Sequence, residues 1–456
     1  MTQSKNLHFR QLFTGDEWLT SGVTLEVDSS GAINAIVEGP KPDDAIQING
    51  TALPGMPNLH SHAHQRAMAG LAEYRTGRDN FWTWRQVMYA QTRSMLPEDL
   101  QAIAAQAYVE MLKSGYTAVA EFQYLHHDPK GKPFDNKAEM TLRCLNAATE
   151  TGIGITCLPV LYAYSGFDKA ACNDGQKRFH NPLDAYLEIV QILEKDCDGN
   201  PNYNTGIAPH SLRAVDISLI KKLIESVPEG PVHIHIAEQT SEVEECRKAF
   251  GKNPVDWLLS NIEVTDRWCL IHATHMDDTE LDKLIGTRAV AGLCPTTEAN
   301  LGDGFFSARA FLEKGGCFGI GSDSQISINP VEELRWLEYA QRLLHKKRVV
   351  LGDNHSGEFL FNNALSGGAQ ACGRNIGSLK VGARADIVVL DHTHPRLIGR
   401  NQNQLIDSWI FSGNSNLVSQ VFVGGEHVIK DGRHIREQEI GKRFAETILK
   451  LVDAHV

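Results

Sequence analysis

The chain has 456 residues, of which 42% are hydrophobic and 22% are charged, a composition typical of a soluble globular protein with a sizeable core. Its formal net charge of −12 argues against nucleic acid or an anionic membrane as a partner. The sequence has no secretory signal pattern and no run of about 18 apolar residues, and its 9 cysteines include no CxxC pair. These features predict a cytoplasmic protein without disulfides.

Short strands are predicted near the beginning of the chain, including a hairpin over 23–39 that turns at Ser29-Ser30-Gly31. From Leu53 to about Asn329, eight apolar runs then alternate with amphipathic stretches. The runs cover 53–62, 116–124, 152–162, 204–212, 231–238, 268–275, 289–297 and 316–324. Helices are predicted over 97–115, 181–196, 240–261, 355–375 and 436–454, and late strands over 384–391 and 419–434.

This alternation predicts the fold class, because parallel βαβ units that close on themselves form a (β/α)8 barrel. We expect an α/β protein with a TIM-like barrel over 53–375 and a small β-sandwich built from both chain ends, 1–52 and 376–456, the second ending in a helix. A doubly wound sheet is disfavoured because the Gly-rich phosphate loop after its first strand is missing.

Side chains that ligate metals gather at the ends of several of these runs. His60 and His62 are two residues apart, so on a strand they point to the same face and can share one cation. With His235 and Asp323 from distant strands they form a donor set suited to Zn²⁺ or a similar divalent ion. His233 is the alternative to His235, although it lies further from the strand end. Because four protein ligands would close a tetrahedral site, either a water is a fifth ligand or the aspartate binds loosely.

Catalytic side chains are predicted beside this set. Glu238 follows the strand of His235, where it can reach a water at the metal and act as a general acid/base that moves a proton to a leaving nitrogen. His272 ends the sixth run and can polarise a substrate, with His275 as the alternative. Asp323 is a second candidate for the first proton acceptor. The bridging lysine of two-metal barrels is missing at the ends of the third and fourth runs, so a single metal is favoured.

Residues suited to substrate binding lie at or after the ends of the first, second and fourth runs. Arg213 and Arg85 can each bind a carboxylate in a bidentate manner. Gln65, Tyr124 and His210 can add further hydrogen bonds. Two arginines around one cavity indicate a small-molecule substrate with two carboxylates, and they explain how a protein of net charge −12 accepts an anion.

The segments PGMPNLHSH, HIHIAE and GIGSDS, with the histidine of the sixth run, resemble the amidohydrolase superfamily in its deaminase branch. Further segments, among them FWTWR, PHSLRAV and TTEANLGDG, resemble its members that hydrolyse N-formimino-L-glutamate to N-formyl-L-glutamate and ammonia in bacterial histidine degradation. The resemblance implies a homodimer with one divalent metal per chain. Zn²⁺ is the expected metal, and the same ligand set would also accept Fe²⁺ or Mn²⁺.

The resemblance also implies roles for particular residues. The metal would be held by His60, His62, His235 and Asp323, with the substrate held by Gln65, Arg85, Tyr124, His210 and Arg213. Hydroxide formed at the metal would attack the formimino carbon, Glu238 would pass the proton to the departing nitrogen, and His272 would assist. His64, between the histidine pair and Gln65, is a possible additional ligand.

Two other functions are compatible with parts of this pattern. An aminohydrolase of a nucleobase or an S-adenosylhomocysteine-type ring substrate would share the metal site, but it needs neutral donors and stacking aromatic residues rather than two arginines. A catalytically inactive barrel that serves as a binding protein is disfavoured, because the complete ligand set is retained.

Overall fold

Strands and helices alternate through the middle of the chain in the computed structural model, which describes residues 4–73 and 81–453. The predicted last residue of the helix at 436–454 lies outside the described residues. Within these ranges, no helix combines the length and the apolar character that a membrane span requires. The strands are β1 (Lys5–Phe13), β2 (Trp18–Leu19), β3 (Val23–Val27), β4 (Ile33–Glu38), β5 (Ile46–Pro54), β6 (Met56–Ser61), β7 (Tyr116–Gln123), β8 (Gly154–Leu161), β9 (Tyr203–Thr205), β10 (Ala208–Pro209), β11 (Val232–Ile236), β12 (Trp268–His272), β13 (Val290–Leu293), β14 (Cys317–Ile320), β15 (Ile387–Leu390), β16 (Val418–Val423), β17 (Glu426–Lys430) and β18 (Arg433–His434).

The helices follow the amphipathic stretches between these strands. They are α1 (Phe81–Thr92), α2 (Pro97–Ser114), α3 (Glu139–Thr151), α4 (Leu183–Cys197), α5 (Ile217–Ser226), α6 (Thr240–Phe250), α7 (Pro254–Asn261), α8 (Asp278–Thr287), α9 (Pro295–Leu301), α10 (Ala308–Glu313), α11 (Pro330–His345), α12 (Ser356–Cys372), α13 (Asn403–Phe411) and α14 (Glu437–Asp453), with a 3-10 helix over Ala63–Met68. The prediction of one helix over 240–261 is wrong. Gly251 ends α6 with a φ of 71°, and Pro254 begins α7.

The parallel strands of the middle segment close into a barrel. In one sheet β6 pairs with β7, β7 with β8, and β8 with both β9 and β10, while β11 to β14 pair in sequence in a second sheet. Single bridges join the two sheets, from Ser61 to Asp323 on one side and from Ser211 to His235 on the other. The fourth predicted strand is thus divided into the short strands β9 and β10. The prediction of a (β/α)8 barrel is confirmed.

The two chain ends meet in one sheet beside the barrel, as expected. Its strand order is β18-β17-β16-β15-β5-β1-β3-β4, with β2 beside β1, and the predicted hairpin is formed by β3 and β4. This sheet has a hydrophobic core of its own, which includes Phe9, Leu25 and Val389. Because β5 runs to Pro54, the sheet reaches the first residues of the barrel segment. The domain boundaries at 52/53 and 375/376 stay predictions.

Helix α12 packs against the beginnings of the barrel strands. The carbonyl oxygen of Ala371, in its last turn, lies 2.8 Å from Nε2 of His233. The carbonyl oxygen of Cys372 accepts a hydrogen bond of 2.7 Å from Oγ1 of Thr156. Because these partners lie near the start of β11 and of β8, α12 fills the amino-terminal end of the barrel. The opposite end, where the strands finish, is where barrels of this type place their active sites.

Candidate active site

Four side chains converge at the carboxyl ends of β6, β11 and β14. The Nε2 atoms of His60 and His235 are 3.1 Å apart. Oδ1 of Asp323 lies 3.5 Å from Nε2 of His60 and 3.4 Å from Nε2 of His62. All four residues are buried, and donor atoms of the three histidines lie within 4.8 Å of one another. The structure therefore brings together the predicted metal ligands, whose role stays a prediction.

The histidines of this cluster are oriented by backbone carbonyl groups. Nδ1 of His62 lies 2.9 Å from the carbonyl oxygen of Phe122, and Nδ1 of His235 lies 3.1 Å from that of His210. A proton on each Nδ1 leaves the Nε2 lone pair directed at the centre of the cluster. Burial lowers the pKa of His60 to about 3 and also lowers those of His62 and His235. Neutral imidazoles are the form that ligates a metal.

The close approach of β14 to β6 positions Asp323. A Cβ atom on Gly321 would lie 2.8 Å from the carbonyl oxygen of His60, so only glycine fits between the strands there. Two backbone hydrogen bonds of 3.0 Å then cross the seam, from the nitrogen of Asp323 to the oxygen of His60 and from the nitrogen of His62 to the oxygen of Asp323.

Backbone strain concentrates at the same strand ends. Ala237, His272 and Asp323 all have left-handed backbone conformations, with φ values of 52°, 69° and 44°. Such conformations cost about 1 kcal/mol or more for residues other than glycine, and they persist only where the surroundings fix them. Here the carboxylate of Glu242 accepts hydrogen bonds from the backbone nitrogens of Ala237 at 3.1 Å and of Glu238 at 3.0 Å. These hydrogen bonds to its backbone fix the turn that carries Glu238.

Glu238 and His272 stand beside the ligand cluster. Nε2 of His272 is 3.9 Å from Oε1 of Glu238 and 3.8 Å from Oδ2 of Asp323, while its Nδ1 is 3.3 Å from Oε1 of Glu298. Burial raises the pKa of Glu238 to about 7, which suits a group that takes and returns a proton near neutral pH. Burial lowers the pKa of His272, but the three carboxylates around it outweigh that effect and raise it to about 10.

One cavity joins these residues to the predicted substrate-binding side chains. Its lining includes Gln65, Arg85, Tyr124, His210 and Arg213, together with His62, His235, Glu238, His272 and Asp323. Burial lowers the pKa of His210 well below its usual range, and the positive charges of Arg213 and Arg85 lower it further. Both arginines are therefore near the same histidine.

The alternatives from the sequence occupy other positions. His64 directs Nε2 at the hydroxyl of Tyr124, 3.2 Å away, and Gln65 donates to the same hydroxyl at 2.8 Å. His233 shares the barrel interior with His235 but contacts α12, as described above. His275 is outside the cavity lining, and its backbone nitrogen donates to the carbonyl of Ala237.

Comparisons with known proteins agree with this geometry. A sequence model of the amidohydrolase family matches residues 51–428. A formimidoylglutamate deiminase from Pseudomonas aeruginosa is 47% identical over 436 residues, which cover 94% of this chain and 96% of that protein. A crystal structure of an amidohydrolase from Brucella melitensis is 44% identical, with a TM-score of 0.94 over 98% of this chain and 100% of that one. This chain belongs to the amidohydrolase family.

More distant proteins resemble this amidohydrolase in sequence or in structure. A 5-methylthioadenosine/S-adenosylhomocysteine deaminase from Nitratidesulfovibrio vulgaris is 28% identical over 85% of this chain and 82% of that protein. An adenosine deaminase from Xanthomonas campestris, with bound zinc, is 18% identical with a TM-score of 0.82 over 99% of each chain. The amidohydrolase family is metal-dependent, so the predictions of superfamily and of metal dependence are confirmed at that level.

The donors of this amidohydrolase fit a divalent ion. Burial would raise the pKa of Asp323, but its interactions with His60 and His272 hold it well below its usual range, so the carboxylate is ionised among neutral ring nitrogens. That combination of donors suits a divalent cation. A second group, formed by His272, Cys294 and Asp323, also has its donor atoms within 4.8 Å. It is the poorer ligand set, because burial raises the pKa of the Cys294 thiol well above its usual range.

Sequence reasoning missed much of the amidohydrolase pocket. The cavity is also lined by Trp84, Met88, Tyr89, Tyr162, Phe179, Thr297 and Leu301. Most of these come from α1 and from loops, where no periodic pattern marks them. Behind the ligands, the buried carboxylate of Glu121 accepts hydrogen bonds from Ser61 Oγ at 2.6 Å and from the Ala63 nitrogen at 2.7 Å. Glu121 could have been recognised from the sequence, because a glutamate inside the apolar run 116–124 indicates a buried carboxylate.

Proposed function

We propose that this amidohydrolase hydrolyses N-formimino-L-glutamate to N-formyl-L-glutamate and ammonia. The observation that carries the proposal is that Arg85 and Arg213 line the same cavity as Glu238 and the metal-ligand cluster. A substrate with two carboxylates and a hydrolysable C–N bond fits both ends of such a cavity. The identity to formimidoylglutamate deiminase over nearly the whole chain supports the same substrate. By the same analogy we place the reaction in bacterial histidine degradation.

We further propose that one divalent ion per chain, Zn²⁺, is held by His60, His62, His235 and Asp323. When bound, such an ion supplies Lewis-acid chemistry that polarises the formimino group and activates water. The distances among the four side chains and the neutral state of the histidines support this ligand set.

The protein's own groups then move the protons. Glu238 takes a proton from the attacking water and, with a pKa near 7, can return it to the departing nitrogen. His272, oriented by Glu298 at Nδ1, directs Nε2 between Glu238 and Asp323, where it can donate a hydrogen bond to the reacting group. As the water oxygen bonds to the formimino carbon, the double bond from that carbon to the terminal nitrogen becomes single, and the first water proton passes through Glu238 to that nitrogen. The proton left on the added oxygen follows the same route, the remaining C–N bond breaks, and the products are ammonia and an N-formyl group.

The remaining pocket residues hold the glutamyl part of the substrate. Arg85 and Arg213 bind its carboxylates, and Gln65, Tyr124 and His210 add neutral hydrogen bonds. Fixing the remote end in this way aligns the formimino carbon with the proton-transferring groups, which converts binding energy into rate.

An ammonia-release assay tests the proposal directly. The purified protein, loaded with Zn²⁺, should release ammonia from N-formimino-L-glutamate, and a chelator should abolish the release until Zn²⁺ is returned. A metal-loaded protein that leaves this substrate intact would contradict the proposal.

A ring-substrate aminohydrolase is the second candidate. The aromatic side chains of Trp84, Tyr89, Tyr162 and Phe179 in the cavity lining favour it, because they could stack on a purine. The two arginines disfavour it. Turnover of S-adenosylhomocysteine in the same assay, with N-formimino-L-glutamate left intact, would establish this candidate.

We propose a homodimer of cytoplasmic chains whose partner is the small-molecule substrate, with no nucleic acid or membrane partner. The net charge of −12 supports the proposal that neither a nucleic acid nor a membrane is a partner. Light scattering of the purified protein tests the dimer.

A further inference from the structure

Helix α1 carries several groups of the substrate-binding end of the cavity. Arg85, Met88 and Tyr89 all line the cavity from this helix, and the guanidinium of Arg85 lies 5.2 Å from the centre of the Tyr89 ring. Unlike the metal ligands, these side chains are not on barrel strands. Their position depends on whatever fixes α1 to the barrel.

Arg178 makes that connection. Its side chain is only 4% exposed. Its Nη1 donates to the carbonyl of Thr92, the last residue of α1, and its Nη2 donates to the carbonyl of Met95 at 2.8 Å. Its Nε donates to the carbonyl of His127, after β7, at 2.9 Å. One guanidinium thus joins the end of α1 to the loop that follows the second barrel strand.

The charge of Arg178 is satisfied by backbone groups. Its three side-chain hydrogen bonds all go to backbone carbonyls. Burial lowers its pKa to about 10, and the charge of Asp128 offsets this only in part. Burying a cation is costly unless its donors are all paired, so the three carbonyl contacts are needed. A planar guanidinium with five donors can reach three separated carbonyls, whereas the single ammonium of lysine reaches fewer in one geometry.

The residues around Arg178 extend the same junction into the cavity. The ring of Phe179 packs 4.9 Å from that of Tyr124 and 5.9 Å from that of Tyr89. Gln176 donates a hydrogen bond of 2.9 Å to the hydroxyl of Tyr162. A displacement of Arg178 would therefore act first on several residues of the substrate-binding end. It would reach the proposed metal ligand His62 through Tyr124, whose ring centre lies 5.0 Å from that of His62.

We propose that Arg178 is a positioning residue for substrate specificity: it fixes α1 so that Arg85 meets one carboxylate of the substrate. The inference rests on the proposed function, because it assumes that Arg85 binds a carboxylate. It predicts a defect confined to substrates that carry those carboxylates.

Arg178→Met should raise KM for N-formimino-L-glutamate about tenfold or more, with a smaller change in kcat and wild-type zinc content. Arg267→Met is the matched control. Arg267 also donates only to backbone carbonyls, at 2.7 Å to Gly230 and 3.0 Å to Val227, but it precedes β12 at the opposite end of the barrel. Its removal should lower thermal stability and leave KM unchanged.

Two further measurements separate positioning from general damage. Formamidine carries the reacting group without carboxylates, so its kcat/KM should be equal in wild type and Arg178→Met. In a double-mutant cycle, Arg178→Met should add little to Arg85→Ala, because both variants remove the same interaction. Arg178→Lys should give an intermediate KM, and it replaces the methionine variant if that variant does not fold.

The experiments distinguish a failure of the Arg178 inference from a failure of the proposed function. If Arg178→Met matches Arg267→Met in KM, or if its effect adds fully to that of Arg85→Ala, the inference is overturned while the proposed function stands. If the wild-type protein releases no ammonia from N-formimino-L-glutamate, the proposed function fails first, and the inference falls with it.

Discussion

The two ends of the cavity are built in different ways. At the metal end, His60, His62, His235 and Asp323 lie on or directly after barrel strands, and backbone hydrogen bonds between strands set their spacing. At the proposed substrate-binding end, Arg85 comes from α1 and Arg213 from the turn after β10, and the side chain of Arg178 holds the end of α1 in place. The proposed chemistry thus depends on residues that the barrel strands position, and the proposed choice of substrate depends on residues of a helix and a turn outside the strands.

The largest effect is expected from removing a ligand at the metal end. His235→Ala should lose bound zinc and lower ammonia release by about a thousandfold or more, because a divalent ion contributes several kcal/mol to the transition state. His233→Ala is the control, since it removes an imidazole from the same strand that contacts α12 instead. Elemental analysis and the ammonia assay check both variants. Equal zinc loss in the two would show that the cluster does not bind the ion.

The next effect tests the substrate-binding end alone. Arg213→Ala should reduce kcat/KM for N-formimino-L-glutamate roughly a hundredfold, because a carboxylate is left without its charged partner. Zinc content should remain at the wild-type value, and Arg213→Lys should restore part of the activity. Wild-type kinetics for Arg213→Ala would contradict the assignment of this arginine to a carboxylate.

A third test asks how the metal end is supported. Burial raises the pKa of Glu121 to about 7, above its ordinary value of 4.5, despite hydrogen bonds from Ser61, Ala63 and Tyr108. Between these two pH values Glu121 therefore holds a proton in the folded protein that it releases in the unfolded chain. As the pH rises from about 4.5 to about 7, the free energy of unfolding should fall by roughly 3 kcal/mol.

Glu121→Gln should flatten that part of the pH dependence, since glutamine stays neutral and can still bond to Ser61 and Ala63. Denaturant unfolding of both proteins at several pH values measures it. Parallel curves for the two proteins would mean that Glu121 does not carry the proton.

The smallest effect concerns a single neutral hydrogen bond in the pocket. Tyr124→Phe removes the hydroxyl that accepts from Gln65 at 2.8 Å. KM should rise by only about three- to tenfold, in keeping with roughly 1 kcal/mol for such a bond. Steady-state kinetics suffice as the measurement. A loss comparable to that of Arg213→Ala would instead place Tyr124 in the chemistry.

The contrast between the two ends of the cavity also explains which residues of the site could be predicted from the sequence. The barrel and the convergence of His60 and His235 were predictable, because strand alternation and strand ends leave regular patterns. Tyr89, Phe179 and Arg178 come from a helix and a loop whose placement depends on long-range contacts, so nothing local marks them. The break between α6 and α7 did have a local signal, a glycine followed three residues later by Pro254, but the apolar pattern continued across it.

The position of α12 has a consequence for how the reaction products depart. Because α12 fills the amino-terminal end of the barrel, the cavity opens at the carboxyl ends of the strands. His60 is fully buried, whereas the side chain of Glu238 is 16% exposed and the two arginines are half-buried. In the proposed mechanism, ammonia forms at the inner end of the cavity, behind the product that Arg85 and Arg213 are proposed to bind. We therefore expect the formylated amino acid to leave the cavity before ammonia.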